Sequence, residues 1–152
     1  MNDRLGKLSA SLSWNDGFYS DRFTWLTGSL SYALNEVNTV AFKTGGNLGQ
    51  TALRSLTTPV QDNGRIYDFI YTYAAGPWII RPYFQYTDIP TNPNAGIVEG
   101  AARRGGALLL TYSFQHHFSL SGRGEYISST GKANRQAVNL LYGPGSGPGQ
   151  SL

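Results

Sequence analysis

A period of two residues organises this chain almost from end to end, and helical periodicity is nearly absent. Successive side chains of a strand point to opposite faces, so each alternating run has two sides to compare. Eight strands are expected: Lys7 to Trp14, Phe23 to Leu34, Thr39 to Gly45, Arg65 to Ala74, Trp78 to Thr87, Gly106 to Phe114, Phe118 to Ile127 and Arg135 to Tyr142. One side collects Leu12, Leu30, Phe42, Phe69, Ile80, Phe84, Leu110 and Leu120 among other apolar residues. The other side is rich in Ser, Thr and Ala, and holds Tyr83 and Gln85. It also takes seven charges: Lys7, Lys43, Asp68, Arg81, Arg123, Glu125 and Arg135. None of the positions assigned to the apolar side is charged. That side is expected to face surroundings that cannot solvate a charge.

Such surroundings are either a packed protein interior or lipid. Charged residues make up only 14% of the 152, against roughly 25% in an ordinary soluble domain. No run approaches 18 consecutive apolar residues, so no transmembrane helix is expected. Met1-Asn2-Asp3-Arg4 is not followed by the apolar stretch of a signal peptide. A transmembrane β-barrel escapes both tests, because its lipid face shows only at every second residue. The net charge is +3 and the basic residues are scattered, apart from Arg103-Arg104. A nucleic-acid face would cluster them. With no Cys and two His, disulfide frameworks and thiolate metal sites are excluded.

The connections separate soluble from membrane architecture. Asn15–Arg22, Gly46–Gly64, Asp88–Gly105 and Ser128–Asn134 are long or moderate, and Asn35–Asn38, Ala75–Pro77 and Gln115–His117 are short. In an antiparallel meander alternate connections lie at opposite ends, so the long ones share one end. Outer-membrane barrels show this sorting, with short periplasmic turns and longer extracellular loops. A soluble sandwich has no reason to sort them. Aromatic residues also cluster at strand ends: Tyr32, Tyr73, Trp78, Phe114, Phe118 and Tyr142 at the short-turn end, and Trp14, Tyr67, Tyr86 and Tyr126 at the other. Rings with apolar bodies and polar tips form such girdles at lipid–water boundaries.

The run Ser13-Trp14-Asn15-Asp16-Gly17-Phe18-Tyr19-Ser20-Asp21-Arg22, followed by Phe23-Thr24-Trp25-Leu26-Thr27-Gly28, resembles the OmpL-like outer-membrane β-barrel porins of Gram-negative bacteria. Arg123-Gly124-Glu125-Tyr126 and Asn139-Leu140-Leu141-Tyr142-Gly143-Pro144-Gly145-Ser146 are similar to late segments of that family. The resemblance covers most of the chain and carries no catalytic residues with it. It implies a longer protein with a signal peptide and more strands. The whole chain, residues 1–152, therefore reads as a single β-barrel segment, an internal or C-terminally truncated piece of a larger barrel. Gly149 to Leu152 reads as part of a short turn. The small inward residues suit the wall of a wide channel, because an eight-stranded barrel must fill its lumen.

Other motifs carry little chemistry. His116-His117 falls in a short turn and has no third ligand in the sequence pattern. A Ser–His hydrolase would need that histidine on a strand, facing a serine. Gly45-Gly46-Asn47-Leu48-Gly49-Gln50-Thr51 lacks the lysine and following helix of a phosphate loop. The loops carrying Arg54, Asp62, Glu99, Arg103 and Arg104 read as mobile surface loops, with folding into the lumen as the alternative. Arg123 and Glu125, two positions apart on one face, fit a bracing pair.

The expected fold is all-β, an antiparallel meander of about eight strands forming part or all of a transmembrane β-barrel in the bacterial outer membrane. The expected function is non-enzymatic: passive diffusion of small hydrophilic solutes through a porin-like channel, without a cofactor. The pore-lining set is Lys43, Asp68, Arg81, Tyr83, Gln85, Arg123 and Glu125. The lipid-facing set is Leu12, Leu30, Phe42, Phe69, Ile80, Phe84, Leu110 and Leu120. Outer-membrane lipid and small solutes are the expected partners, with room for a homo-oligomer and none for nucleic acid. The alternative is a closed small barrel with a structural or adhesion role through its surface loops. A soluble ligand-binding β-barrel comes third.

Overall fold

The computed structural model describes residues 2–5, 7–15, 25–48, 63–95, 97, 100–114, 118–130, 138–139, 143–144 and 149–151. Among these residues there are eleven strands and one 3₁₀ turn: β1 (Asn2–Leu5), β2 (Leu8–Asn15), β3 (Trp25–Ala33), β4 (Asn38–Asn47), β5 (Arg65–Ala75), β6 (Trp78–Ile89), η1 (Pro93–Ala95), β7 (Ala101–Phe114), β8 (Phe118–Ser129), β9 (Val138–Asn139), β10 (Gly143–Pro144) and β11 (Gly149–Ser151). Nine form one antiparallel sheet in the order β1-β2-β3-β4-β5-β6-β7-β8-β11. Strands β2 to β8 carry almost all of it, each beside its sequence neighbours. Among the described residues the sheet is open, with β1 and β11 as its edges. Among the described residues no helix is long and apolar enough to cross a membrane.

The first seven expected strands all exist, with shifted ends. The largest shift is at β7, which begins at Ala101 rather than Gly106. Arg103 and Arg104 therefore belong to a strand and not to a loop. The stretch Ala101-Ala102-Arg103-Arg104-Gly105 has no large apolar residue to reveal its alternation, but it pairs in register with Asp88 and its neighbours. The eighth expected strand is corrected. Within Arg135 to Tyr142 the described residues are Val138–Asn139, which pair with Gly143–Pro144 in a separate two-stranded sheet. The strand beside β8 is instead β11, with Gln150 opposite Ser128. The edge strand β1 was not expected either. It extends the meander by pairing Leu5 with Leu8.

The connections sort by length as the alternation requires. Residues 16–24, 48–64 and 90–100 join strands at one end, and 34–37, 76–77 and 115–117 at the other. Local chemistry closes the short turns. In the β3–β4 turn, Asn35 Oδ1 accepts the backbone N–H groups of Val37 (3.0 Å) and Asn38 (2.9 Å), an Asx turn. In the β5–β6 turn Gly76 has φ of 55°, with Pro77 after it. This is the first-position glycine of a two-residue hairpin whose twist matches the strands. A side chain there costs roughly 1–2 kcal/mol. Gly76→Ala should therefore lower stability by about that amount in a denaturant titration, and an unchanged midpoint would refute the assignment.

Register shows which side chains share a face. Ala10 pairs with Leu30, Leu30 with Phe42, Phe42 with Phe69 and Phe69 with Phe84. Ile80 pairs with Leu110, and Tyr112 with Leu120. One face of seven strands is thus continuously apolar, and its side chains are open: Leu12 is 56% exposed, Phe69 52% and Leu120 68%. Soluble monomers rarely show such a face. The expectation of a charge-free face needs one correction. Arg65, Asp88 and Arg104 lie on the apolar side, at the long-loop end. Arg65 and Asp88 sit just outside the row of Tyr67 and Tyr86, whose rings stack at 6.3 Å, and Arg104 stands in that row, opposite Tyr86. At the short-turn end Tyr112 contacts both Trp78 and Phe114 edge to face, with centroids 4.6 Å apart in each case. From Trp78 to Tyr86 the strand rises roughly 26 Å. A tilt of about 40° converts this to about 20 Å of depth, before the end rings are added.

The ladder has one interruption. Pairing between β5 and β6 lapses at Tyr71 and Thr72, opposite Pro82 and Arg81, and resumes in the same register at Tyr73 and Ile80. Pro82 has no N–H to donate. Its pairing with Leu108 on β7 is intact, so the missing donor faces β5.

Candidate functional site on the polar face of the sheet

The face opposite the apolar one gathers the hydrophilic residues that sequence singled out. Near β2 and β3 it is a hydroxyl surface, where Ser11 and Ser29 bond at 2.6 Å. Lys43, Asp68 and Gln85 follow as direct neighbours on β4, β5 and β6. Asp68 lies in the field of Lys43 and of Arg103, the latter on β7 rather than in the loop its sequence neighbours predict. Its Oδ1 and the nearby Thr87 Oγ1 have no hydrogen-bond partner among the described residues.

A second group occupies β6, β7 and β8. Arg81 stands opposite Leu109, and Leu109 opposite Arg123. In the adjacent row Tyr83, Ala107 and Glu125 follow one another. Because Ala107 is small, the Tyr83 side chain can cross it. The phenol oxygen accepts a hydrogen bond from the Arg123 guanidinium at 2.7 Å, whose central carbon lies 5.6 Å from the ring centroid. The same guanidinium pairs with Glu125, so the expected bracing pair exists. Covering by Tyr83 accounts for Ala107 being 8% exposed. Beyond Leu109 towards the short turns, Thr111 and Ser121 bond at 2.8 Å. The polar face therefore places Lys43, Asp68 and Gln85 in one group, and Arg81, Tyr83, Arg123 and Glu125 in another.

The long-loop end holds the feature least visible in sequence. Ile89 and Ile97 are 1% and 2% exposed, the most buried side chains among the described residues. Ile89 has the polar-face parity and pairs with Ala101, also buried. The β6–β7 connection forms a small closed unit: Asn92 and Ile97 exchange backbone bonds of 2.8 and 2.9 Å around η1. Gly100 closes it, because a Cβ there would lie 2.7 Å from the Ile89 carbonyl oxygen. Asn92 donates to Asn63, in the β4–β5 connection, at 3.2 Å. The expectation of a mobile surface loop is thus corrected for the β6–β7 connection, which is anchored by buried isoleucines. Between the two connections an open cleft of about 490 Å³ is lined by Asn47, Asn63, Arg65 and Asn92 among others. His116-His117, Arg54, Asp62, Glu99, Arg135 and Tyr142 lie outside the described residues. Gly45, Gly46 and Asn47 are strand residues of β4.

An open antiparallel meander, apolar on one exposed face and hydrophilic on the other, has a counterpart among known families. Residues 4–149 match the family described as "Putative beta-barrel porin-2, OmpL-like". The chain belongs to that family. No curated protein and no solved structure matches it. Membership accounts for the all-β meander and gives this family member a porin-like role and an outer-membrane setting in general terms.

Proposed function

We propose that this porin-family chain forms part of the wall of a water-filled channel in the bacterial outer membrane. Small hydrophilic solutes pass by diffusion, without a catalytic step, and lipid covers the apolar face. The observation that carries this reading is the register. It keeps Leu30, Phe42, Phe69 and Phe84 on one face, and Lys43, Asp68, Arg81 and Arg123 on the other. Lining a lumen with the hydrophilic face satisfies both at once. Selectivity then comes from lumen width and from the field of the lining charges.

That field is net positive. The described polar face and its N-terminal border hold Lys7, Lys43, Arg81, Arg103 and Arg123 against Asp68 and Glu125, or 5 − 2 = +3. Fixed positive charge enriches anions, and salt screens it. The channel should be weakly anion-selective in planar bilayers, and less so at high salt. Arg81→Glu changes the local charge by two units and should move the zero-current potential under a KCl gradient towards cation preference. An unmoved potential would take Arg81 off the conducting path, and an absence of conductance at every salt concentration would remove the channel reading.

A further inference from the structure

The group on β6, β7 and β8 is more specific than a charged wall requires. Leu109 is an apolar residue on the hydrophilic face, flanked in register by two guanidinium groups. The two cations are not equivalent. Arg123 is held by Tyr83 and neutralised by Glu125. Arg81 is exposed and has no ion-pair partner among the described residues. Neighbouring strands lie about 4.8 Å apart, so the backbones of Arg81 and Arg123 are roughly 10 Å apart across Leu109. Arg81, Arg123 and Glu125 sum to +1.

From this we infer that the Arg81–Leu109–Arg123 row is a binding station for a small organic monocarboxylate. The inference rests on the reading of the polar face as a channel lining. The carboxylate takes the unpaired Arg81, whose planar fork matches it in two hydrogen bonds. The organic body lies on Leu109, bounded by the Tyr83 ring and the unused N–H groups of Arg123. A net charge of +1 suits one carboxylate better than a doubly charged phosphate. Chloride would use the charge and gain nothing from Leu109. Binding is weak, as passage requires that a solute leave the site as readily as it enters.

Benzoate is the probe, titrated against the full chain refolded in detergent and followed by saturation-transfer NMR. Neutral benzyl alcohol, inorganic phosphate and chloride serve as comparisons. Benzoate should bind saturably, and more tightly than benzyl alcohol or phosphate. Arg81→Gln should weaken it about tenfold. Leu109→Ser should weaken benzoate several-fold and leave acetate unchanged. Lys43→Gln, a cation lost elsewhere on the same face, should change neither. Benzoate binding no better than benzyl alcohol, or weakened equally by Lys43→Gln, would overturn the station. KCl conductance of the same preparations separates the two readings. A chain that conducts but ignores benzoate refutes the station alone. A chain that binds benzoate as described but never conducts supports the station and refutes the channel.

Discussion

Leu30→Arg and Leu120→Arg should abolish stable insertion into bilayers, whereas Ser29→Arg and Ser121→Arg should insert as the parent chain does. Within each pair the two positions are adjacent in sequence and sit on opposite faces of the same strand. Leu30 lies in the row Ala10, Leu30, Phe42, Phe69 and Phe84, well inside the two aromatic boundaries. An arginine near the bilayer midplane on a lipid face costs about 2–4 kcal/mol. On the opposite face it joins Ser11 and Lys43 around Ser29, or Thr111 and Arg123 around Ser121, in surroundings already hydrophilic. Sheet content by circular dichroism after refolding into lipid vesicles, with protection from protease, is the measurement. Equal insertion of the leucine and serine variants would refute the assignment of faces.

Ile97→Ala should open the β6–β7 connection without unfolding the sheet. Ile97 and Ile89 are the most buried side chains described, in a segment also tied by two backbone bonds around η1, the Gly100–Thr91 bond and the Asn92–Asn63 bond. Truncating a buried isoleucine costs about 2–5 kcal/mol. The β6–β7 ladder is continuous from Ile89 to Trp78, so the loss falls on the local closing equilibrium of residues 90–100. Proteinase K should cut the variant within 90–100 at least tenfold faster than the parent, with circular dichroism unchanged. Equal resistance would mean that the strand ends, not the isoleucine anchor, hold the connection.

The alternation of Leu8 to Trp14, Trp78 to Tyr86 and Leu108 to Phe114 was enough to define the strands and their faces. Each strand here solves the same problem, keeping large apolar groups on one side, and a period of two states that solution directly. Arg103 was missed because Ala, Arg and Gly flank it, and alternation cannot be read where no large apolar residue marks a face. The pairing of β11 with β8 was missed for a related reason. Gly149-Gln150-Ser151 is too short and too polar to announce a strand, and its assignment rests on backbone bonds to Ile127, Ser128 and Ser129.

Sequence by itself determined that this protein is a β-meander with one apolar face, since facing and loop sorting follow from local order along the chain; that the face carries Arg65, Asp88 and Arg104 at its long-loop end emerged only with the strand ends and their register. It also placed Arg123 and Glu125 within reach, because residues two apart on a strand share a face. Only tertiary structure decided what crosses between strands. Tyr83 meets Arg123 forty residues away because two register choices place Ala107 between them, and a small side chain lets the ring across. Ile89 and Ile97 are both buried at the long-loop end, although no periodicity links them. Register and loop closure depend on pairing energies summed over several strands, and no local stretch of sequence contains that sum.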